Sequence, residues 1–277
     1  MNIAQFSAVV LAGSAAAGFL GSLTGLGGGM VIVPLLTLGL GVDIRYAIGA
    51  SLVAVIATSS GAAASFLRQG YANIRAGMLL EVATTSGALV GASLTAVVPA
   101  SAIALIFGLV LLGSALTATK NSSAGDAEPG DALCNKLHLS NTYPRDGRLI
   151  NYGVRRMPTG FALMAGAGAL SGLLGIGSGA VKVLAMDRAM RFPFKVSTTT
   201  SNFMIGVTAA ASAGVYLSRG YIDPGLAMPV TLGVLGGAMA GSRMLMRAPV
   251  AVLRNVFRAV LLFLAAQMIW NGAKGAF

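Results

Sequence analysis

Gly25-Leu26-Gly27-Gly28-Gly29-Met30-Val31-Ile32-Val33 and Gly175-Ile176-Gly177-Ser178-Gly179-Ala180-Val181-Lys182-Val183 are one pattern written twice. With Gly25 laid on Gly175, the match continues without a gap through residues 25–99 and 175–249. Ser51 then falls on Ser201, Thr58 on Thr208, Gly70-Tyr71 on Gly220-Tyr221, Gly87 and Gly91 on Gly237 and Gly241, and Pro99 on Pro249. A repeat of this length in an apolar chain reads as two copies of one membrane unit, an arrangement that encloses a site between the copies.

Composition supports a membrane reading. Of 277 residues, 56% are hydrophobic and only 10% charged, against roughly 25% charged in ordinary soluble domains. Apolar runs reach about 20 residues, enough to cross a hydrocarbon core of about 30 Å. The formal charge of +11 does not indicate nucleic acid, because the Lys and Arg residues sit in short connections and no basic stripe is interleaved with aromatics. The single cysteine, Cys134, permits no internal disulfide and reads as an incidental free thiol in a polar loop. Met1–Ala17 lacks a basic start and is read as the first membrane segment rather than a signal sequence.

The expected fold is all-α and polytopic, with about five helical segments per repeat. The first half divides into 3–23, a Gly-rich break, 30–40, 46–67, 76–98 and 101–119; the second into 158–174, a break, 180–190, 196–217, 224–246 and 249–270. Lipid tolerates only helices and closed barrels, and these runs do not alternate as barrel strands do. The chain therefore divides into a first membrane repeat over 1–119, a polar loop over 120–157 and a second repeat over 158–277.

Charge orients the repeats. Suppose each half has an odd number of passes, or four passes plus a re-entrant hairpin of the same parity. Then Arg68, Arg75, Lys120, Lys136, Arg145, Arg148, Arg155, Arg156, Arg188, Arg191, Lys195, Arg243, Arg247, Arg254 and Arg258 gather on one side. Only Arg45, Arg219 and Lys274 remain on the other, as the positive-inside rule prefers. Ser93, Val97, Ala104 and Gly108 correspond to Arg243, Arg247, Arg254 and Arg258, so one turn is uncharged in one copy and basic in the other. The repeats are expected to be inverted, with both termini outside and the central loop in the cytoplasm.

Each Gly-rich break opens a segment of about 11 residues, half a membrane at about 1.5 Å per residue. A half-helix after a glycine break points to a transporter site: glycine admits close backbone approach, and the helix start offers N–H groups to an anion. The candidate substrate-binding residues are Gly27, Gly28, Gly29, Gly177, Ser178 and Gly179 in the breaks, Lys182 one turn later, and Ser51, Ser201 and Asn202 on the following helices. Thr198, Thr199 and Thr200 are weaker candidates of the same kind. Gly77, Gly87, Gly91, Gly233 and Gly237 read instead as close packing of helices. Neither break satisfies a dinucleotide or P-loop pattern, since Met30 and Ala180 stand where a third glycine is needed.

Lys182 has two open roles: holding an anion, or pairing with Asp187 or another carboxylate. Glu81 is either a shallow interfacial partner of Arg75 or a group that couples a proton to transport. Arg155-Arg156 read as an anchor for the second repeat, and His138 as a solvated loop residue. No set of His, Cys and carboxylates has metal-ligand spacing, and no nucleophilic triad can be assembled, so neither a metal, a cofactor nor enzymatic activity is expected.

The paired breaks, the run Ser171-Gly172-Leu173-Leu174-Gly175-Ile176-Gly177-Ser178-Gly179 and the run Lys195-Val196-Ser197-Thr198-Thr199-Thr200-Ser201-Asn202 resemble the TauE/SafE family of bacterial sulfite-exporter-like permeases. The resemblance spans both repeats. It implies a secondary transporter of the inner membrane that exports small sulfur-containing anions, such as sulfite, sulfoacetate or related sulfonates, by alternating access; a passive anion channel is the alternative. The expected partners are a small anionic substrate, membrane lipid and a further copy of the chain, with no nucleic acid.

Overall fold

The computed structural model describes residues 2–22, 29–68, 71–117, 130–145, 148–245 and 250–275. In the first half α1 (Ile3–Ser22) precedes the short α2 (Gly29–Pro34), then α3 (Ile44–Arg68), α4 (Ile74–Leu94) and α5 (Ala100–Thr117). The second half repeats this order in α7 (Met157–Leu174), α8 (Gly179–Leu184), α9 (Phe194–Ser218), α10 (Pro224–Leu245) and α11 (Val250–Ala273). Between them lie α6 (Ala132–Lys136) and an antiparallel pair, β1 (Asn141–Arg145) and β2 (Arg148–Tyr152). The chain is thus an all-α polytopic membrane protein. Among the described residues, Ile74–Leu94, Met157–Leu174 and Pro224–Gly241 are long and apolar enough to cross a membrane. Met78, Val82 and Leu89 of α4 and Met228 and Leu232 of α10 face outward, as lipid-facing helix surfaces must.

The short helices after the breaks continue past their α-helical part. Both α2 and α8 have six residues and run on into a five-residue π turn, Leu35–Gly39 in one copy and Ala185–Ala189 in the other. These turns occupy equivalent positions in the repeat, and such turns recur at functional sites.

The two copies exchange partners. α1 packs on α10 and α7 packs on α4, so the first helix of each repeat lies against the fourth of the other. Glycine makes both contacts. A Cβ at Gly87 would strike the Ala165 carbonyl, and one at its equivalent Gly237 would strike that of Ala15; Gly168 lies likewise against Thr84 and Gly18 against Val234. Gly91 and Gly233 make backbone contacts of the same sort, whereas Gly77 meets the Thr200 side chain. These are the close helix approaches that small residues permit in lipid.

Contacts also fix the directions. On α4 and α9, Asn73 meets Thr200, Gly77 meets Thr200 and Met204, and Glu81 meets Thr208, so these helices run parallel. On α3 and α9, Gly49 meets Tyr221 just beyond the end of α9, while Ser59 meets Gly206, so these equivalent helices run antiparallel. Equivalent helices pointing in opposite directions define an inverted repeat.

The central segment is more than a polar loop. Cys134, Leu139, Tyr143, Tyr152 and Val154 are buried with Ala76, Leu80, Met190, Phe192 and Val196 in a continuous apolar cluster. Residues 130–145 and 148–156 form a cap over the end of the bundle where α4, α7 and α9 begin. Asn73 anchors it: its Nδ2 donates to the Leu139 carbonyl at 2.8 Å and to the Tyr152 hydroxyl at 2.8 Å, while its Oδ1 accepts from the Ala76 N–H and caps α4. Burial raises the pKa of the Tyr152 hydroxyl despite that bond. The Arg155 N–H donates to the Met190 carbonyl, and the Arg156 N–H to Asp131. Cys134 is free, as expected, but buried inside the cap rather than solvated; burial also pushes its thiol pKa up. His138 is exposed.

Candidate functional site

The second break begins where α7 stops. Gly175 takes a left-handed φ of 66° and donates its N–H to the Ser171 carbonyl; Gly177 (φ 70°) and Ser178 (φ 46°) follow in the same region. Glycine adopts this conformation freely, but serine does so at a cost. Three left-handed residues in four turn the chain back on itself, so that α8 descends between α7 and α9.

The start of α2 adjoins the second break. A Cβ on Gly29 would lie 3.0 Å from Ser51 Oγ and 3.2 Å from the Gly175 carbonyl oxygen. Ser51 donates its hydroxyl to that carbonyl at 2.9 Å, linking the first repeat to the break of the second. Ser201 donates to the Gly179 carbonyl at 3.3 Å. Both hydroxyl protons are thus engaged by backbone at the breaks rather than offered to a ligand. Gly177 and Gly179 rest against Ile205 of α9. Asn202 is half-buried beside Ser201 and takes no part in the charged network described below. Gly27 and Gly28 fall outside the described residues. Thr198 and Thr199 donate to carbonyls of their own helix, and the Thr200 hydroxyl accepts the Asn73 N–H. Ser178 is fully buried, and its Oγ has no hydrogen-bond partner among the described residues.

Lys182 sits one turn into α8, its N–H bonded to the Ser178 carbonyl at 3.0 Å. It is fully buried, the only lysine or arginine among the described residues to be so. Its Nζ donates to Thr208 Oγ1 at 2.5 Å and lies 4.0 Å from Glu81 Oε2. Thr208 in turn donates to Glu81 Oε1 at 2.6 Å. Thr84 donates to Glu81 Oε2 at 2.9 Å and Thr85 to Oε1 at 3.0 Å. Of the carboxylates weighed for Lys182, the ionic partner is therefore Glu81 and not Asp187. Glu81 itself does not pair with Arg75 at the surface: it is buried, while Arg75 is exposed at the cap end of α4. Three helices converge on this centre, α4 with the carboxylate, α8 with the ammonium and α9 with the hydroxyl between them. Charges withdrawn from water need such partners, since an unpaired one would be far more costly.

Thr208, Thr84 and Thr85 were not singled out by the sequence as site residues. A signal existed, because Glu81 is followed at three and four positions by Thr84 and Thr85, which share its helix face. The repeat equivalents of Lys182, Glu81 and Thr208 are Ile32, Thr231 and Thr58, so the centre joins the two copies once and its counterpart set carries no charge.

Inverted repeats with short half-helices and a buried charge beside one of them define a membrane transporter. The comparisons with known proteins agree: the sequence pattern of the family described as "Sulfite exporter TauE/SafE" matches residues 10–268, and the chain belongs to that family. Probable membrane transporter protein YunE of Bacillus subtilis is 27% identical over 266 residues, covering 92% of this chain and 94% of its own. Probable membrane transporter protein YdhB of the same organism is 28% identical over 233 residues, 83% of this chain and 87% of its own. Probable membrane transporter protein ORF9 of a Sinorhizobium species is 22% identical over 253 residues, 91% of this chain and 88% of its own. No solved structure matches the chain.

Proposed function

We propose that the chain is a secondary transporter that exports small sulfur-containing anions, sulfite or sulfonates, across the bacterial inner membrane by alternating access around the two breaks. The observation that carries this reading is Lys182, fully buried one turn beyond Ser178. A cation withdrawn to such a depth is costly and marks a transport path. One turn earlier in the chain, Ser178 is fully buried and its hydroxyl lacks a partner among the described residues. An oxyanion at Lys182 would gain a charge-assisted bond from the ammonium. Family membership supports the sulfur-anion class.

The cap face is assigned to the cytoplasm. Arg75, Lys136, Arg148, Arg155, Arg156, Arg188, Arg191 and Lys195 lie in the cap, in connections or in first helical turns at that end, and Arg45, Arg219 and Lys274 at the opposite end; this asymmetry is that of cytoplasmic faces. The test is a flux assay in proteoliposomes with sulfite, sulfate, sulfoacetate and methanesulfonate. Saturable uptake that is accelerated by trapped cargo identifies a carrier. Continuous single-channel currents would replace this reading with a passive channel.

A further inference from the structure

We infer, building on the anion reading above, that the Glu81 carboxylate is the cargo's internal stand-in: Lys182 exchanges Glu81 for the transported anion, and each anion is accompanied by one proton taken by Glu81.

The geometry supplies the elements of the exchange. In the present state Lys182 is held by Thr208 at 2.5 Å and faces Glu81 at 4.0 Å, so ammonium and carboxylate form a neutral pair. A monoanion arriving at Lys182 from the break would leave one cation and two anions in a medium of low dielectric, an imbalance that is strongly unfavourable. A proton on Glu81 removes it: the carboxylate becomes a carboxylic acid, the ammonium keeps its charge and pairs with the cargo, and the loaded centre is again neutral. Release reverses both steps. Loaded and empty carriers thus both cross the membrane without net charge at the centre. Export is then driven by the combined concentration gradients of cargo and proton, each anion leaving with a proton.

Thr208 is the positioning residue. Its one hydroxyl accepts from Lys182 and donates to Glu81 Oε1 at 2.6 Å. When Glu81 becomes an acid the O–H can point the other way, so Thr208 stays bonded in both states. Thr84 and Thr85 hold the carboxylate on its remaining sides. The helices packed around the centre bring few competing groups. α7 carries no titratable side chain, α4 adds only Arg75, exposed at the cap end, and α9 adds Lys195 at its exposed start and Tyr216 near its far end. The π turn after α8 brings Arg188, exposed, and Asp187, buried and thus the other carboxylate to be tested.

The probe is methanesulfonate, which stays ionised across the working range, so that any proton moved belongs to the protein. Proteoliposomes holding a pH-sensitive dye are given labelled methanesulfonate. The expected result is lumenal acidification of one proton per anion, with a rate that an imposed potassium diffusion potential does not change. Glu81→Gln is expected to abolish acidification, make net flux follow the potential and flatten the pH profile of exchange, whereas Asp187→Asn keeps the proton movement. Thr208→Val is expected to flatten the same pH profile, with Thr208→Ser restoring it. A measurement free of variants stands beside these: methanesulfonate should raise the melting temperature of the purified wild-type protein more at pH 6 than at pH 8. Saturable methanesulfonate flux with no proton movement, or loss of that movement in Asp187→Asn alone, would overturn the inference while leaving anion transport in place. Absence of saturable flux for every sulfur anion in the wild type would remove the transport reading itself.

Discussion

Ser51 in the first repeat donates its hydroxyl at 2.9 Å to the carbonyl of Gly175, the residue at which α7 ends and the second break begins. One side-chain bond therefore joins the interior of one copy to the turning point of the other. Interhelical hydrogen bonds in membranes average about 0.6 kcal/mol, so Ser51→Ala is expected to fold and insert, with a lowered melting temperature and slower flux. Gly175→Ala should be harsher, because the residue needs a left-handed backbone and its Cβ would press on Ile48. Melting curves of the detergent-purified variants would rank the two, and the reverse order would count against the geometry.

The exchanged helix pairs make a sharper test. Gly87→Val and Gly168→Val place branched side chains against the backbone of the partner helix, where nothing flexible can yield. Overpacking costs about 1–3 kcal/mol where neighbours can move, and more is expected here. Both variants should lose folded, monodisperse protein in size-exclusion chromatography. Gly166→Val serves as the control, since a Cβ there meets nothing within 4 Å.

Lys182→Met removes the ammonium and leaves Glu81 buried without its partner. Breaking a buried pair in this way costs about 3–5 kcal/mol, so the single variant should be unstable. The double variant Lys182→Met with Glu81→Gln is expected to recover most of the melting temperature while showing no anion-induced stabilisation. Recovery of anion-induced stabilisation in the double variant would remove Lys182 from the binding path.

Cys134 reports on the cap without any engineering. It is buried, and burial pushes its thiol pKa up, so the reactive thiolate is scarce at neutral pH. Alkylation by a membrane-permeant maleimide should be slow in the folded protein, faster as pH rises, and rapid in denaturant. Asn73→Ala deletes the bonds to Leu139 and Tyr152 and is expected to speed labelling at constant pH. An unchanged rate would mean that Asn73 does not hold the cap.

Cysteines placed at Lys136 and Lys274 in a Cys134→Ser background test the topology. One lies in the cap and the other beyond α11, at opposite ends of the bundle. A membrane-impermeant reagent applied to right-side-out vesicles should modify the Lys274 position alone.

The repeat was legible in the sequence because it aligns without gaps, and because the basic turns of one copy are uncharged in the other. The half-helices were visible too, since glycine punctuates both at equivalent places. The pairing of Lys182 with Glu81 was not visible. It joins α8 of one copy to α4 of the other, and no periodicity within a copy reveals which helices cross over. Hydroxyl residues gave an ambiguous signal for a related reason. Ser51 and Thr208 look alike in composition, yet one serves a backbone carbonyl and the other bridges two charges. The cap was hidden because Tyr143 and Tyr152 are few apolar residues among many polar ones, and only the membrane helices beneath them complete their burial.

The crossing of α1 to α10 and of α7 to α4 also bears on biogenesis. The opening helix leaves the ribosome long before the helix it must embrace has been translated, so it waits in the bilayer beside provisional neighbours. Neither half owns a complete set of neighbours, so severed halves expressed in the same cell should rescue one another, while each alone should be cleared by membrane proteases.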